Sequence, residues 1–331
     1  MNNQLRPLAL GEILDRTAEL YRTHFVLFAG ISATFATVML TIQLLYLKSL
    51  VMLGYPNLMA NWRRGTAVAV VLEVLVILIL AGLSVVANNR AVAWVYLDQK
   101  ASIREATRSI FPRFRRYLWL MTMVAFRAWA PLAAVYIAFF TVMFSMLPHD
   151  LMANPAALQN SINQNPASIL GFGLAMLILS PLFIGAIVYG VFMSLRYSLS
   201  VPACVVEDIP AGAAIKRSVG LSLGSRGRIF VLAILIGLIR MLLVYLFGFP
   251  IIALAIKHPG QPLPMFWLVF QQIGVFLSNA FIGPLYAIGL TLFYYDQRIR
   301  KEGFDIEWMM HAAGMTAVPP AAPGLVAPEQ T

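Results

Sequence analysis

Charged side chains are scarce in this sequence. Of its 331 residues, 11% are Asp, Glu, Lys or Arg, whereas 60% are hydrophobic. A soluble globular domain carries about 25% charged residues. Because so few charges cannot cover the apolar surface of a water-soluble fold, the composition excludes the soluble enzyme folds and predicts a polytopic membrane protein.

Catalytic and metal-binding patterns are also lacking. The single cysteine, Cys204, excludes an intrachain disulfide and a thiolate metal cluster. The sequence has neither a phosphate-binding glycine-rich loop ending in Lys-Ser/Thr nor a G-x-S-x-G nucleophile elbow. The histidines have no second ligand at a metal-binding spacing: His24, His149, His258 and His311. We therefore expect no enzyme activity, metal or cofactor, and the N-terminus shows no pattern of a removable signal peptide.

Long apolar runs are abundant instead. Each exceeds the roughly 20 residues needed to cross about 30 Å of hydrocarbon. They cover approximately 25–47, 66–97, 117–147, 168–205, 229–256 and 265–295. These runs predict an all-α polytopic membrane helix bundle, with six transmembrane helices in three hairpins and a single domain over 1–308. We expect Pro181 and Pro202 to kink or end the fourth helix, and the Ala/Pro-rich tail 309–331 to be disordered.

A similar unit recurs three times along the sequence. Residues 8–22 have the pattern of an amphipathic helix in the membrane interface, and short amphipathic segments also precede the third and fifth spans. Each segment contains an arginine followed by a hydroxyl residue: Arg16-Thr17, Arg108-Ser109 and Arg217-Ser218. An acid closes each hairpin: Asp98, Asp208 and Asp296. The pattern predicts repeats over 8–98, 102–208 and 211–300 around an axis along the membrane normal; the alternative is chance similarity among apolar hairpins.

Basic residues outnumber acidic ones by 24 to 14, which gives a net charge of +10. Most of them lie near the termini and in the loops between hairpins, while the alternate loops hold few, such as Arg63 and Arg64. Since cytoplasmic loops are enriched in Lys and Arg, both termini are predicted to be cytoplasmic. Nucleic acid is not expected as a partner, because the charges are spread over several loops rather than one face.

Of the five charged residues inside the predicted spans, three lie about seven to ten residues from the start of a span and so at similar depth: Glu73, Arg127 and Arg240. A charge at the bilayer centre costs at least about 2.5–3.5 kcal/mol, so it must find a partner or water. One interpretation is a structural ion pair or snorkelling to the headgroups. The other is a surplus positive site that holds a phosphate headgroup or another anion. Arg90 and Arg196 lie nearer the helix ends, and we expect both to snorkel.

The basic loops carry a second set of candidates. These residues fix the topology, and they also attract anionic lipid at about 1 kcal/mol per basic residue near the surface. The interfacial candidates are Arg104, Arg108, Arg113, Arg115, Arg116, Lys216, Arg217, Arg226 and Arg228.

Several segments resemble a bacterial family of six-helix membrane proteins. They are 6–22 (RPLALGEILDRTAELYR), 201–207 (VPACVVE), 214–218 (AIKRS), 224–229 (GSRGRI) and 294–307 (YYDQRIRKEGFDIE). That family is similar to the membrane domain of membrane-anchored glycerophosphodiester phosphodiesterases. The resemblance implies the six-helix fold and a bacterial plasma-membrane location. It implies no catalysis, because in those enzymes the reaction belongs to a separate soluble barrel that this sequence lacks.

These observations lead to a functional hypothesis. We expect a non-enzymatic membrane protein that binds or transports an anionic or amphipathic small molecule such as a phospholipid, with membrane lipids as its partners. The alternative is a structural protein that docks a cytoplasmic partner or organises the bilayer. An intramembrane enzyme would need a polar cavity holding a nucleophile and a base.

Overall fold

The computed structural model describes residues 6–52, 66–96, 99–146, 166–258, 263–304, 306 and 310. Within these ranges every regular element is a helix. The α-helices are α1 (Leu10–Thr23), α2 (Phe25–Met52), α3 (Thr66–Tyr96), α4 (Ile103–Arg108), α5 (Phe114–Met146), α6 (Pro166–Arg196), α7 (Ser200–Val206), α8 (Ala211–Ser222), α9 (Arg226–Lys257), α10 (Met265–Leu277) and α11 (Gly283–Glu302). A 3₁₀ turn at Phe111–Arg113 precedes α5, and a π-helical segment at Ser278–Ile282 joins α10 to α11.

Six helical stretches are long and apolar enough to cross a membrane. They are Phe25–Ser49, Leu72–Tyr96, Ile103–Val142, Gly173–Val206, Arg226–Lys257 and Met265–Glu302. The predicted all-α fold with six membrane helices is therefore confirmed, and the chain is a multi-pass membrane protein. Arg63, Arg64, Asp98 and the predicted tail 309–331 lie outside the described residues.

The fourth span is divided close to Pro202. Helix α6 continues through Pro181 and ends at Arg196, and α7 begins at Ser200. Pro202 lies in the first turn of α7, where its missing N–H would have no helical partner in any case. The sixth span is also interrupted, by the π segment and by Pro284 directly after it.

The chain forms two compact units. The first contains Met1–Met121 and Ser198–Thr331, and the second contains Thr122–Tyr197. In the second unit, α5 packs on α6, and the rings of Tyr136 and Phe183 lie 6.0 Å apart. Most of the large apolar side chains of this unit are exposed, which suits helices whose solvent is hydrocarbon.

In the first unit, the three short helices that precede a span have related neighbours. Helix α4 packs on α2 and α3, α8 packs on α7, and α1 packs on α11. Each therefore covers the hairpin before its own, and α1, which has no hairpin before it, covers the last one. The apolar face of α1 lies on protein, since Ile13 and Thr17 are buried.

Helix α11 is the centre of the first unit. Nearly every residue from Pro284 to Ile299 is buried, and the ring of Tyr295 stacks on that of Tyr96 at 4.7 Å. The helix ends at Gly303, whose φ of 67° lets its N–H donate to the carbonyl of Ile299. This buried helix places the π segment among the other spans.

Candidate functional site

A cavity of about 270 Å³ lies within the first unit. Three helices line it with residues at i, i+3, i+4 and i+7, which is the spacing of one helix face. They are Ser32, Phe35, Ala36 and Met39 on α2; Ala81, Ser84, Val85 and Asn88 on α3; and Ala233, Ile236, Gly237 and Arg240 on α9. The π segment and the start of α11 complete the lining with Asn279, Ile282, Gly283 and Tyr286. Small residues on these faces, such as Gly237, leave the space open.

The π segment shapes one wall of the cavity. Pro284 has no N–H to continue an α-helical ladder, and the N–H of Gly283 donates five residues back to Ser278. The widened turn brings Asn279 opposite α9. Partial burial raises the pKa of Tyr21 to about 12, so its neutral hydroxyl donates to the carbonyl of Phe281 at 2.7 Å. Irregular backbone at this depth is tolerated because protein surrounds it and a cavity adjoins it.

Arg240 supplies the charge of the cavity. Its Nη2 donates to Oδ1 of Asn279 at 2.5 Å, and Nδ2 of Asn279 has only a weak contact of 3.9 Å with the sulfur of Met39. Among the described residues, no carboxylate lies within ion-pair distance of Arg240. Part of the Arg240 side chain is exposed. The site therefore presents a positive charge that only a neutral amide partners.

Three lining residues on α2 and α3 are polar and uncharged: Ser32, Ser84 and Asn88. Nδ2 of Asn88 donates to Oγ of Ser32 at 2.9 Å and to the carbonyl of Ser84 at 2.8 Å. The hydroxyl of Ser84 lies 3.2 Å from that of Ser32. Asn88 is only 1% exposed, and its Oδ1 has no hydrogen-bond partner among the described residues. Hydroxyl and amide groups thus face the same space as the arginine.

Glu73 and Arg240, the two intramembrane charges of the first unit that we singled out, do not pair with each other. Glu73 lies two turns of α3, about 12 Å, before Ala81, the first cavity residue of that helix. Within the described chain, Glu73 has no ion pair, so the interpretation of Arg240 as its structural partner is wrong. Arg127 belongs to the second unit, where its side chain is exposed on α5.

Several candidates in the basic loops are bound to carboxylates. Asp208 accepts from Arg113 at 2.7 Å and from Arg116 at 2.6 Å. In the same way, Asp296 accepts from Arg228 at 3.4 Å. In both cases an arginine at the start of a hairpin meets the acid at its end.

Arg217 lies between two carboxylates. Its Nε donates to Glu207 at 2.8 Å, and its Nη2 donates to Glu302 at 2.6 Å. Burial alone would lower the pKa of Arg217, but the hydrogen bonds to Glu302 and Glu207 outweigh it and raise that pKa above its ordinary value. The hydroxyl of Tyr294 also donates to Glu207. Arg298 pairs with Glu302 at 3.2 Å, so two arginines balance two carboxylates, and the group ties α8 to α11.

The other basic candidates differ in exposure, and Arg226 is half-buried. Arg226 is directed at Ser222, with its Nε 3.5 Å from the hydroxyl oxygen. The remaining four have exposed side chains that contact no hydrogen-bond or ion-pair partner in the part of the chain that the structure describes: Arg104, Arg108, Arg115 and Lys216.

Our expectation that Arg90 snorkels to the headgroups is wrong. It is 5% exposed, so its charge is enclosed by protein and does not reach the headgroups. It acts electrostatically on the neighbouring phenol of Tyr117. Arg196 is partly buried, with its guanidinium 6.0 Å from the ring centre of Tyr197.

Comparison with known proteins gives no match. No family model, curated protein or solved structure matches this chain. Across the described ranges, no group of His, Cys, Asp and Glu side chains could hold a metal ion. Arg240 and its neighbours define the chemistry of the site.

Sequence reasoning identified Arg240 but missed the residues around it. Asn279, Ser32, Ser84 and Asn88 form the polar part of the cavity, and none was a candidate. One signal was available, because polar residues on otherwise apolar spans are costly and tend to face protein or a cavity. That signal does not identify which helices meet.

Proposed function

We propose that this protein is a non-enzymatic protein of the bacterial inner membrane that binds an anionic amphipathic lipid and holds its phosphate at Arg240. The observation that carries the proposal is an arginine near the middle of the membrane-spanning helix α9 that lines a cavity and has an amide, rather than a carboxylate, as its described partner. Keeping such a charge in hydrocarbon is costly, and a bound anion would offset that cost.

The chemistry of the site suits a phosphate. A guanidinium presents a planar set of donors that matches two phosphate oxygens, and charge-assisted bonds of this kind are stronger than neutral ones. Among the described residues, the amide nitrogen of Asn279 has no partner stronger than the sulfur of Met39. It can therefore donate a further hydrogen bond to a phosphate. Arg240 is partly exposed, which gives a ligand access to it.

The bacterial location and the orientation belong to the same proposal. The excess of Lys and Arg in the termini and the loops between hairpins supports cytoplasmic termini. The resemblance to the membrane domain of the membrane-anchored phosphodiesterases supports a bacterial inner membrane. Transport of the bound lipid would need a path through the protein, and the interrupted sixth span beside the cavity is its best candidate.

Native mass spectrometry of the purified protein tests the binding site. We expect the wild-type protein to retain anionic phospholipid and the Arg240→Ala variant to retain about tenfold less, because the phosphate loses its charged partner. Arg22→Ala is the matched control, since it removes one exposed arginine that has no described partner and is not among the lipid-binding candidates. Arg127→Ala measures the second unit separately. Equal lipid retention by wild type and Arg240→Ala would refute the proposal.

A docking role is the second candidate. The exposed Arg104, Arg108 and Arg115 favour it, because they form no described ion pair and remain available to an acidic partner. Crosslinking in membranes would then recover a protein whose capture is lost when these three residues become alanine and is kept in Arg240→Ala. Recovery of lipid alone counts against this role.

A further inference from the structure

The charge of the cavity wall limits which ligands can bind there. Among the described lining residues, Arg240 is the single one that carries a charge at neutral pH, since the others are apolar, hydroxyl-bearing or amide side chains. Glu73, on the same helix as part of the lining, is not one of them. The described wall therefore has a net charge of +1.

A cavity of net charge +1 within the membrane-spanning part of the protein discriminates between headgroups by charge. A singly charged phosphodiester leaves the site neutral, which is the cheapest state in a low-dielectric environment. A phosphate monoester, with about −1.5 to −2 charges at neutral pH, leaves an uncompensated negative charge. A zwitterionic headgroup brings an ammonium group next to Arg240, and the described lining holds no carboxylate to receive it.

The rest of the wall suits an uncharged polar headgroup. Ser32, Ser84 and Asn88 offer hydroxyl and amide groups, and Oδ1 of Asn88 lacks a described donor. A hydroxyl-bearing headgroup can donate to such acceptors and accept from such donors. The volume of about 270 Å³ is below the range of about 300–1,000 Å³ typical of drug-sized ligands, so it fits a headgroup and leaves the acyl chains outside.

We infer that the cavity selects a phospholipid whose phosphodiester headgroup carries one negative charge and an uncharged hydroxyl-bearing group, over zwitterionic headgroups and phosphate monoesters. The inference rests on the proposed function and adds the class of lipid to it. Its physical basis is the match between one guanidinium and one phosphodiester beside a neutral hydrogen-bonding wall.

A competition experiment tests this selection. The purified full-length protein is mixed with equal amounts of phosphatidylglycerol, phosphatidylethanolamine and phosphatidic acid with identical acyl chains, and the retained lipids are measured by native mass spectrometry. We expect wild type to retain phosphatidylglycerol about tenfold over each of the other two. The preference should disappear in Arg240→Ala.

Two further variants change the charge of the wall without removing Arg240. Asn279→Asp places a carboxylate against Arg240, so phosphatidylglycerol retention should fall to the level of Arg240→Ala. Asn88→Asp adds a carboxylate to the lining on α3, so the preference should shift towards phosphatidylethanolamine, whose ammonium gains a partner. A melting temperature near that of wild type shows that each variant is folded, and Asn279→Asp carries the test if Asn88→Asp does not fold.

The possible results distinguish a failure of the lipid selection from a failure of the proposed function. If wild type retains phosphatidylethanolamine or phosphatidic acid as well as phosphatidylglycerol, while Arg240→Ala still loses lipid, the charge selection is wrong and the proposed site stands. If Arg240→Ala retains all three lipids as wild type does, the proposed function fails together with the inference. Selective retention that depends on Arg240 supports both.

Discussion

Arginines in two regions of the first unit meet different partners. At the helix ends, Arg113 and Arg228 bind the acids that close their own hairpins, Asp208 and Asp296. Inside the spans, Arg240 meets the neutral amide of Asn279 and faces a cavity. The same side chain therefore connects helices in one region and, in our proposal, remains available to a ligand in the other.

The difference lies in what removal of each charge leaves behind. Loss of a buried carboxylate strands the arginines that it held, which is strongly destabilising. Loss of Arg240 strands only an amide, which costs little. If charges at the helix ends stabilise the fold and the charge in the cavity binds a ligand, variants at the helix ends should change stability. Variants in the cavity should then change lipid binding alone.

Asp296→Ala should have the largest effect on stability. The Asp296 side chain is 0% exposed and accepts from Arg300 at 2.9 Å and from the backbone N–H of Leu8 at 2.8 Å, in addition to Arg228. Because the two arginines are partly exposed and solvent screens them, we expect a loss of about 2–4 kcal/mol in the free energy of unfolding. The melting temperature in one detergent measures it.

Asp296→Asn is the matched control for that variant. It removes the charge but keeps an oxygen acceptor for the Leu8 N–H, so it should lose less than Asp296→Ala. A melting temperature of Asp296→Ala equal to that of wild type would show that the helix-end pairs do not stabilise the fold, and the comparison would break.

Asp208→Ala should have a smaller effect. This carboxylate is about a quarter exposed, so solvent weakens its bonds to Arg113 and Arg116, and we expect a loss of about 1–2 kcal/mol in the free energy of unfolding. Its backbone has a φ of 53°, which Asn and Asp tolerate better than Ala. Thermal unfolding of Asp208→Asn separates the charge from the backbone strain, and Arg115→Ala, which removes an exposed arginine, should leave the melting temperature unchanged.

Arg240→Met should leave stability nearly unchanged. Replacing an arginine that lacks a described carboxylate partner with an apolar side chain of similar length removes a desolvation cost, so we expect a change of less than about 0.5 kcal/mol or a slight gain. The same sample should lose bound lipid. Strong destabilisation by Arg240→Met, measured as a melting temperature, would place Arg240 with the structural arginines instead.

The smallest expected effect concerns pH and the start of α1. Glu12 accepts from the backbone N–H of Ala9 at 2.7 Å and pairs with Arg6, and these contacts lower its pKa. A carboxyl whose pKa is lowered by folding stabilises the fold above its ordinary pKa and loses that contribution as the pH falls through the lowered value. Hydrogen-exchange protection of the Ala9 amide should therefore decrease below about pH 4.

Glu12→Gln provides the control for the pH experiment. The variant should show weak protection of Ala9 at every pH, with the last turn of α1 unaffected. If wild type protects this amide equally at pH 3 and pH 6, the contact between Glu12 and Ala9 does not hold the helix start.

The fold class and the short helices before each hairpin could be read from local pattern. An apolar run of about 20 residues can satisfy its backbone in hydrocarbon only as a helix, so each run predicts its own structure without information from the rest of the chain. Ser102 and Glu105 illustrate the same locality: their S-x-x-E spacing is typical of a helix start, and the backbone N–H of Glu105 donates to Oγ of Ser102 at the start of α4. The π segment of the sixth span was not predicted, because a proline such as Pro284 is equally typical of a simple kink in a continuous helix.

The partners of charged side chains were decided by tertiary structure alone. Sequence spacing placed Glu73 and Arg240 at similar depth, but depth does not determine which faces of two helices meet. Arg90 similarly lies near a helix end, yet the packing of the other helices encloses it at 5% exposure. Which of the basic loop residues are paired and which are open follows from contacts between segments far apart in the chain, such as Arg113 and Asp208, which are 95 residues apart.

Hydrophobicity along the chain determined where this protein resides and how many times its helices can cross the membrane, because the bilayer acts on each segment separately. The tertiary structure decided that Ser32, Ser84, Asn88, Arg240 and Asn279 share one cavity, because that requires the faces of different helices and a π turn to meet. The bilayer determines the structure of each apolar segment separately, whereas a binding site requires side chains from several helices to meet.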